Sequence, residues 1–217
     1  MDVAVIGAGR IGGGIARQLR AAGHRVTLAF ARDQERLQAL ADELGATTAT
    51  PREAVAGAEV VVLSVPWSTL PDAIDAMGPL GGKIVVDTTN QYGAPPLPAD
   101  GQTAASLNRD RLPGTRYTKS FNTLTAAFQA EAATRQGAER VVQWLCGDDD
   151  GAKELVSGLI AEMGYVPVDM GGTATCQAME APRRPGAVYG EEYRAQDADA
   201  VLEAVRARRP VPPPPQY

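Results

Sequence analysis

Short apolar runs alternate with longer amphipathic stretches along the first half of the chain. Runs such as VAVIG (3–7) and EVVVLSV (59–65) are nearly continuous in Val, Ile and Leu, which is typical of strands buried on both faces. Between them the apolar positions recur with helical spacing, and glycines follow several of these stretches. The pattern predicts strands at 3–7, 24–30, 59–65 and 83–89, and helices at 10–23, 33–45 and 68–77.

The second half of the chain is less regular but continues the alternation. It opens with a Pro/Gly-rich loop at 91–101, and later predicted elements are helices near 103–111 and 124–135, strands at 115–121, 139–147 and 165–170, and helices at 151–164 and around 196–208. Strands separated by helices form right-handed βαβ units. We therefore expect an α/β fold with a doubly wound, mostly parallel sheet. The predicted organisation is one domain at 1–172, a short C-terminal helical and loop extension at 173–207, and a disordered Pro-rich tail at 208–217.

Composition narrows the function classes. The chain has 217 residues and a net charge of −5, which argues against a nucleic-acid surface because binding phosphates requires clustered Lys and Arg. No apolar run approaches the length of about 18 residues that spans a membrane, and the opening strand lacks the pattern of a signal peptide. Cys146 and Cys176 have no zinc spacing and make no disulfide framework. We expect a cytoplasmic protein with reduced cysteines and no metal.

A glycine pattern follows the first predicted strand and opens the first predicted helix. GAGRIG (7–12) matches G-x-G-x-x-G, and this context distinguishes a dinucleotide turn from a chance match. Gly7 allows the tight turn, Gly9 lets the backbone approach a pyrophosphate, and Gly12 lets the helix pack closely on the strand. The pyrophosphate would bind at the positive end of the helix dipole. The alternative is a tight turn that binds no ligand.

The residues after the second predicted strand favour NADP over NAD. NAD-binding proteins usually have Asp or Glu there, whereas this chain has Phe30, Ala31 and Arg32. The guanidinium of Arg32 suits a 2′-phosphate, although a solvated surface charge is the alternative. Arg10, inside the glycine turn, is a second candidate, and Asp33 is expected to cap the next helix.

Ligands of such sheets bind outside the carboxyl ends of the strands. Ser64, Val65, Pro66 and Trp67 follow one strand and are expected to run beside the nicotinamide. Asn90 follows the next strand and is a candidate partner of the nicotinamide ribose or amide. The alternatives are a lid on the following helix for Trp67 and a local turn for Asn90.

Reduction of a ketone or an imine usually requires a proton donor close to the site. The chain's one histidine, His24, is expected at the amino-terminal edge of the sheet, far from the ligand. Lys119 and Asn122 in KSFN are therefore the candidate catalytic pair, and the alternative is that they tie down a strand-end loop. The sequence offers few candidate acid–base groups. It therefore fits hydride exchange between two redox cofactors better than reduction of a ketone or an imine, because the exchange depends less on a strong acid.

Three stretches of the chain resemble the F420-dependent NADP reductases, which pass a hydride between NADP and a deazaflavin. They are the opening VAVIGAGRIG, the run VVLSVPW at 61–67, and LCGDDDGAKELVSGLIAEMGYVPVDMGG at 145–172. The likeness covers roughly residues 1–172. The same core is similar to the NADPH-binding part of pyrroline-carboxylate reductases and of metalloreductases, which often carry a strand ending like KSFNT.

The resemblance implies a Rossmann fold and assigns roles to residues. The phosphate turn falls on Ala8, Gly9, Arg10 and Ile11, and nicotinamide contacts fall near Val65, Pro66 and Trp67. The chain departs from the family at Phe30, Ala31 and Glu35, where the family holds the 2′-phosphate with Ser-Arg and a Lys, and in the sequence after residue 173.

The resemblance also implies hydride transfer between NADPH and coenzyme F420, with NADP as cofactor. The alternatives are an NADPH-dependent reductase of a small C=O or C=N substrate and a non-catalytic NADPH-sensing module. We expect a homodimer, because the chain lacks a large second domain to close the site. The segment PRRPGAVYGEEY (182–193) is a candidate arm that reaches a neighbouring subunit.

Overall fold

Within the described residues, a single sheet of eight strands organises the fold. The computed structural model describes residues 1–93 and 101–217, and the strands lie in the order β3-β2-β1-β4-β5-β6-β7-β8. Neighbouring strands from β3 to β6 are parallel, β7 is antiparallel to β6, and β8 is parallel to β7. The predicted doubly wound, mostly parallel α/β sheet is confirmed. The strands are β1 (Asp2–Ile6), β2 (Arg25–Ala29), β3 (Thr47–Thr48), β4 (Val60–Leu63), β5 (Ile84–Asp87), β6 (Arg116–Lys119), β7 (Val142–Gly147) and β8 (Val166–Asp169).

Helices cover both faces of this sheet, and β1 shows why. Ala4 and Ile6 are buried in one apolar core, whereas Val3 and Val5 are buried in another. Because successive side chains of a strand point to opposite faces, a strand without polar alternation needs cover on both sides. The helices are α1 (Arg10–Ala21), α2 (Gln34–Leu44), α3 (Pro51–Gly57), α4 (Leu70–Met77), α5 (Ala104–Arg111), α6 (Ala126–Ala132), α7 (Asp150–Glu162) and α8 (Ala198–Arg206).

Some elements are absent from the sequence prediction. The short strand β3 and the helix α3 were not predicted, although Thr50 and Glu53 form a capping box that marks the start of α3. A 3₁₀ helix at Thr173–Met179 was also missed. Of the loop predicted at 91–101, residues 94–100 lie outside the described part of the chain.

The expectation of two reduced cysteines is wrong. Cys146 on β7 and Cys176 on the 3₁₀ helix form a disulfide, with Cα atoms 6.1 Å apart and a sequence separation of 30 residues. Both residues are fully buried. Spacing along the chain could not reveal the pair, because only the packing of the extension against the sheet brings them together.

The segment predicted as a disordered tail lies against the body of the protein. Val211 is buried, and its N–H donates to the Gly186 carbonyl at 3.0 Å. The Tyr193 hydroxyl donates to the Pro212 carbonyl at 2.8 Å. The segment has no regular secondary structure, but the buried Val211 side chain and two hydrogen bonds made by its backbone hold it against the rest of the protein.

The segment 182–193 packs on its own chain instead of extending away from it. The Val188 N–H donates to the Ala178 carbonyl at 2.8 Å, and the Val142 N–H at the start of β7 donates to the Tyr193 carbonyl at 2.8 Å. The extension is thereby attached to the edge of the sheet where the ligand is expected. The domain boundary at 172 and the homodimer stay predictions.

Candidate functional site

The glycine turn connects β1 to α1, and two of its glycines are required by close packing. Gly7 has a φ of +93°, and a Cβ there would meet the Ser64 carbonyl oxygen at 2.3 Å. A Cβ on Gly12 would meet the Gly7 carbonyl oxygen at 2.0 Å. These two positions therefore hold the turn and the start of α1 tightly against each other and against the end of β4.

Gly9 is different, because neither conformation nor packing within the chain requires a glycine there. Its φ is −72°, and a Cβ would meet no atom of the described residues within 4 Å. The open space lies over the N-terminus of α1, where the first backbone N–H groups have no partners within the helix. A bound pyrophosphate would use that space, so the turn fits a dinucleotide.

A groove of about 1240 Å³ runs along this turn. It is bounded by the starts of α1 and α2, by the segments that follow β2 and β4, and by α6. Of the residues predicted from the sequence to bind the cofactor, those that line it are Gly7, Ala8, Gly9, Arg10, Arg32, Ser64, Val65 and Pro66. The predicted dinucleotide residues at the ends of β1, β2 and β4 thus lie along one groove.

Exposed arginines line the groove beyond the end of β2. Arg10, Arg32 and Arg36 are all exposed, and none has an acidic ion-pair partner within the described residues. Arg17 also lines the groove, but it pairs with Glu43 at 2.7 Å. The three unpaired guanidinium groups are suited to an anionic group of the ligand.

Sequence reasoning missed Arg36, which follows the helix cap. Asp33 caps α2 as predicted, and its side chain accepts from the Arg36 N–H at 2.9 Å. Arg36 therefore lies in the first turn of α2, and it lines the groove together with Arg32. The sequence feature that could have identified Arg36 is its position three residues after the N-cap Asp33, which follows the end of β2. Phe30 precedes them with a φ of +62°, an uncommon conformation for a bulky residue that often marks a ligand site.

Other residues predicted to bind the cofactor are not among those that line the groove. Trp67 lies under the Arg111 guanidinium, 5.2 Å from the ring centroid, and packs against the apolar core. Ile11 packs against the other core, and Gly12 serves the turn. This geometry fits the alternative role of Trp67 as a lid on the following helix.

Asn90 and Asn122 join the ends of β5 and β6. Asn90 Nδ2 donates to the Asn122 carbonyl at 2.8 Å, and Asn122 Nδ2 donates to Asn90 Oδ1 at 3.2 Å. Asn122 Nδ2 also donates to the Met179 carbonyl at 2.6 Å, and the Ala181 N–H donates to Asn90 Oδ1 at 3.2 Å. The two amides hold the strand ends to the extension. This is the alternative role considered for Asn122, whereas the alternative considered for Asn90 was a local turn.

Lys119 is fully buried and belongs to an interior polar cluster. Its ammonium donates to Asp87 Oδ2 at 3.3 Å and to the Thr89 carbonyl at 2.6 Å. Asp87 Oδ2 also accepts from Asn108 Nδ2 at 2.8 Å and from the Tyr117 hydroxyl at 2.5 Å. Burial favours a higher pKa for Asp87, but the Lys119 charge and these hydrogen bonds hold that pKa below its usual value. The cluster stabilises the strand ends, and Lys119 is not among the groove-lining residues.

The extension is anchored beside this cluster by a buried carboxylate. Glu180 accepts from the N–H groups of Ala104 at 2.9 Å and Ala105 at 2.7 Å, at the N-terminus of α5. The Thr103 hydroxyl donates to the Thr173 carbonyl at 3.0 Å. The extension thus supplies a partner for a helix end of the main body.

The fold and the groove define the class of protein as a dinucleotide-binding protein with a Rossmann sheet. Residues 2–91 match the family of coenzyme F420-dependent NADP oxidoreductases. This part of the chain is similar to that family, which confirms the resemblance found in the sequence.

Related proteins extend this similarity beyond the glycine turn. A hypothetical protein of Sinorhizobium meliloti is 29% identical with a TM-score of 0.78, over 89% of this chain and 95% of that one. A protein of Arthrobacter sp. FB24 named as an F420-dependent NADP reductase is 26% identical with a TM-score of 0.70, over 82% of this chain and 87% of that one. Both share the fold across most of their length.

A curated relative is similar over most of this chain but is much longer. The rat metalloreductase STEAP3 is 30% identical over 179 residues, which are 82% of this chain and 36% of the relative. The chain therefore spans little more than a third of that protein. Within the part of our chain that the structure describes, we find no helix with the length and apolar character needed to cross a membrane.

Proposed function

We propose that the protein transfers a hydride between NADPH and coenzyme F420. The main observation in favour of NADPH binding is the open space over Gly9, which lies in a groove lined by arginines without acidic partners among the described residues. The similarity of residues 2–91 to this family supports NADP(H) as one partner, and the name of the Arthrobacter relative supports F420 as the other. Bound NADPH would supply the hydride.

The chain's own residues would hold and orient the dinucleotide. The turn at Gly7, Ala8 and Gly9 would bind the pyrophosphate through backbone N–H groups. Arg32 and Arg36 would bind the 2′-phosphate, in place of the Ser-Arg and Lys of the family. Ser64, Val65 and Pro66 would border the nicotinamide. The guanidinium groups give the groove its preference for NADP over NAD.

The reductase of a small C=O or C=N substrate remains the second candidate, but Lys119 is poorly placed as its donor. The Lys119 ammonium is buried against Asp87 and the Thr89 carbonyl. A donor must come within hydrogen-bond reach of the substrate. This candidate would therefore require a different proton source.

The experiment is NADPH oxidation by the purified full chain, with coenzyme F420 in one series and the cyclic imine 1-pyrroline in another. The proposal expects oxidation with F420 and no comparable rate with the imine. Turnover of the imine alone would support the second candidate. Tight NADPH binding without oxidation in either series would favour the NADPH-sensing module.

A matched pair of glycine variants tests the groove without relying on turnover. Gly9→Val should weaken NADPH binding roughly tenfold or more, because its side chain would fill the space proposed for the pyrophosphate. Gly158→Val is the control, since a Cβ on Gly158 also meets no atom within 4 Å in the part of the chain that the structure describes, and the residue lies on α7, outside the groove. Equal NADPH affinity in the two variants, measured by calorimetry, would contradict the proposed site.

A further inference from the structure

Two tyrosine hydroxyls meet where the extension approaches the end of β5. Tyr92 and Tyr189 are hydrogen-bonded through their hydroxyl groups, and their rings pack edge to face with centroids 6.4 Å apart. Tyr92 is 60% exposed, whereas Tyr189 is half-buried. The pair therefore connects solvent to a more sheltered hydroxyl.

Backbone contacts place this pair at the ligand edge of the sheet. The Tyr92 N–H donates to the Asn90 carbonyl at 2.8 Å, just beyond β5. The Gly190 N–H, next to Tyr189, donates to the Thr123 carbonyl at 2.8 Å, just beyond β6. The sheet order puts β5 beside β4, whose end borders the groove. The tyrosines thus lie on the side of β4 away from the arginines at β2.

A proton source is needed at this edge for either proposed acceptor. An acceptor that gains a hydride also takes up one proton to become the neutral reduced product. The buried charged groups Asp87, Lys119 and Glu180 are already engaged with each other or with backbone groups. The half-buried hydroxyl of Tyr189 has a route to solvent through Tyr92.

We propose that Tyr189 donates this proton and that Tyr92 replaces it from water. The Oη–H bond of Tyr189 breaks as an N–H or O–H bond forms on the acceptor. Tyr189 then regains a proton from Tyr92, which takes one from water. The inference rests on the proposed function, in which NADPH supplies the hydride and is the reductant. Burial and the hydrogen bond with Tyr92 raise the pKa of Tyr189, so its hydroxyl holds its proton at neutral pH.

The first test asks whether the pair lies beside the nicotinamide, without using turnover. The full chain is labelled with ¹³Cζ-tyrosine, and NMR spectra are recorded as NADP⁺ is added. We expect the signals of Tyr92 and Tyr189, assigned with the Tyr→Phe variants, to shift. Tyr217 is the internal control, because its ring packs under Arg194, 3.9 Å from the guanidinium carbon. An unchanged Tyr189 signal at saturating NADP⁺ would overturn the proposal.

The second test measures turnover in three matched variants, with F420 and with 1-pyrroline as probes. Tyr189→Phe should lower kcat on the order of 100-fold, the scale of general acid catalysis, and leave the Kd for NADP⁺ within about twofold of the wild type. Tyr92→Phe should have a smaller effect, because water can still reprotonate Tyr189. Tyr217→Phe should match the wild type.

The outcomes separate this inference from the proposed function. If the Tyr189→Phe variant keeps the kcat of the wild type, Tyr189 is not the proton donor, and the proposal of hydride transfer is unaffected. A wild type that oxidises no NADPH with either probe contradicts the proposed function. In that case the NADP⁺-dependent shift of Tyr189 still decides its placement, with a shift supporting it and no shift overturning it.

Discussion

Charged side chains at the end of β2 stand in solvent, whereas those at the ends of β5 and β6 are enclosed in the interior. Arg32 and Arg36 have no acidic ion-pair partner among the described residues and line an open groove. Lys119 and Asp87 face each other with no exposed surface. Both regions lie at the carboxyl edge of the same sheet, yet of the two only the region at β2 presents its charges to an open groove.

The contrast shows that residue type does not by itself identify a functional group. A buried charge must be paired, because its desolvation is costly. Lys119 satisfies that requirement within the fold and has its hydrogen bonds directed inward. An exposed guanidinium without a partner keeps its hydrogen-bonding capacity for an anion. Pairing and burial, rather than residue type alone, separate charged groups that are free to bind an anion from charged groups that stabilise the fold.

The largest expected effect comes from breaking the buried pair. Lys119→Met should lower the free energy of unfolding by about 3–5 kcal/mol, because it leaves the Asp87 carboxylate buried without its counter-charge. The double variant Asp87→Asn/Lys119→Met should recover part of this loss. Chemical denaturation monitored by circular dichroism measures both.

Arg17→Met is the control for that experiment. Its pair with Glu43 is exposed, so the loss should be no more than about 1 kcal/mol. If Lys119→Met instead kept full stability and lost turnover, Lys119 would not be a purely structural residue. The role of proton donor, considered from the sequence, would then apply to it.

A smaller effect is expected from the exposed arginines. Arg32→Ala and Arg36→Ala should each weaken NADP⁺ binding roughly tenfold, the scale of one charge-assisted hydrogen bond. Binding of NAD⁺, which lacks the 2′-phosphate, should stay within about twofold. Calorimetric titration of each variant with both nucleotides measures the preference directly. Parallel losses of NADP⁺ and NAD⁺ affinity would show that the arginines do not recognise the 2′-phosphate.

The smallest change in NADP⁺ affinity is expected at Asp33, an acidic residue that lines the groove together with the arginines. Asp33→Asn keeps the helix cap, because Asn caps as well as Asp, and removes one negative charge. NADP⁺ affinity should rise about two- to fivefold at low salt, and the gain should shrink as salt is added. Thermal unfolding should be nearly unchanged. Weaker NADP⁺ binding would instead indicate that the carboxylate accepts a hydrogen bond from the ligand.

Most of the residues predicted to bind the cofactor line the groove, because the signals that point to them are local. The glycine turn and the cap at Asp33 each depend on a few adjacent residues and their flanking elements. Arg36 was missed although it follows that cap by one helical turn. The strand predicted at 24–30 ends at Ala29, because Phe30 adopts a positive φ that the sequence does not reveal.

The acceptor side was harder to predict because its contacts join distant parts of the chain. Asn122 meets Met179 across 57 positions, and Thr103 meets Thr173 across 70. The disulfide of Cys146 and Cys176 likewise depends on how the extension packs. No periodicity or spacing encodes such contacts, so the sequence left Lys119 and Asn122 with two roles.

The carboxylate of Glu180 bears on how the specificity of this protein could be exchanged. It completes the N-terminus of α5 from a segment more than seventy positions further along the chain. An engineered chimera that imports the extension of a relative would therefore leave two α5 amides unpaired unless the imported segment also brings an acceptor. Such a graft has to carry α5 and the extension together, as a single transplantable unit.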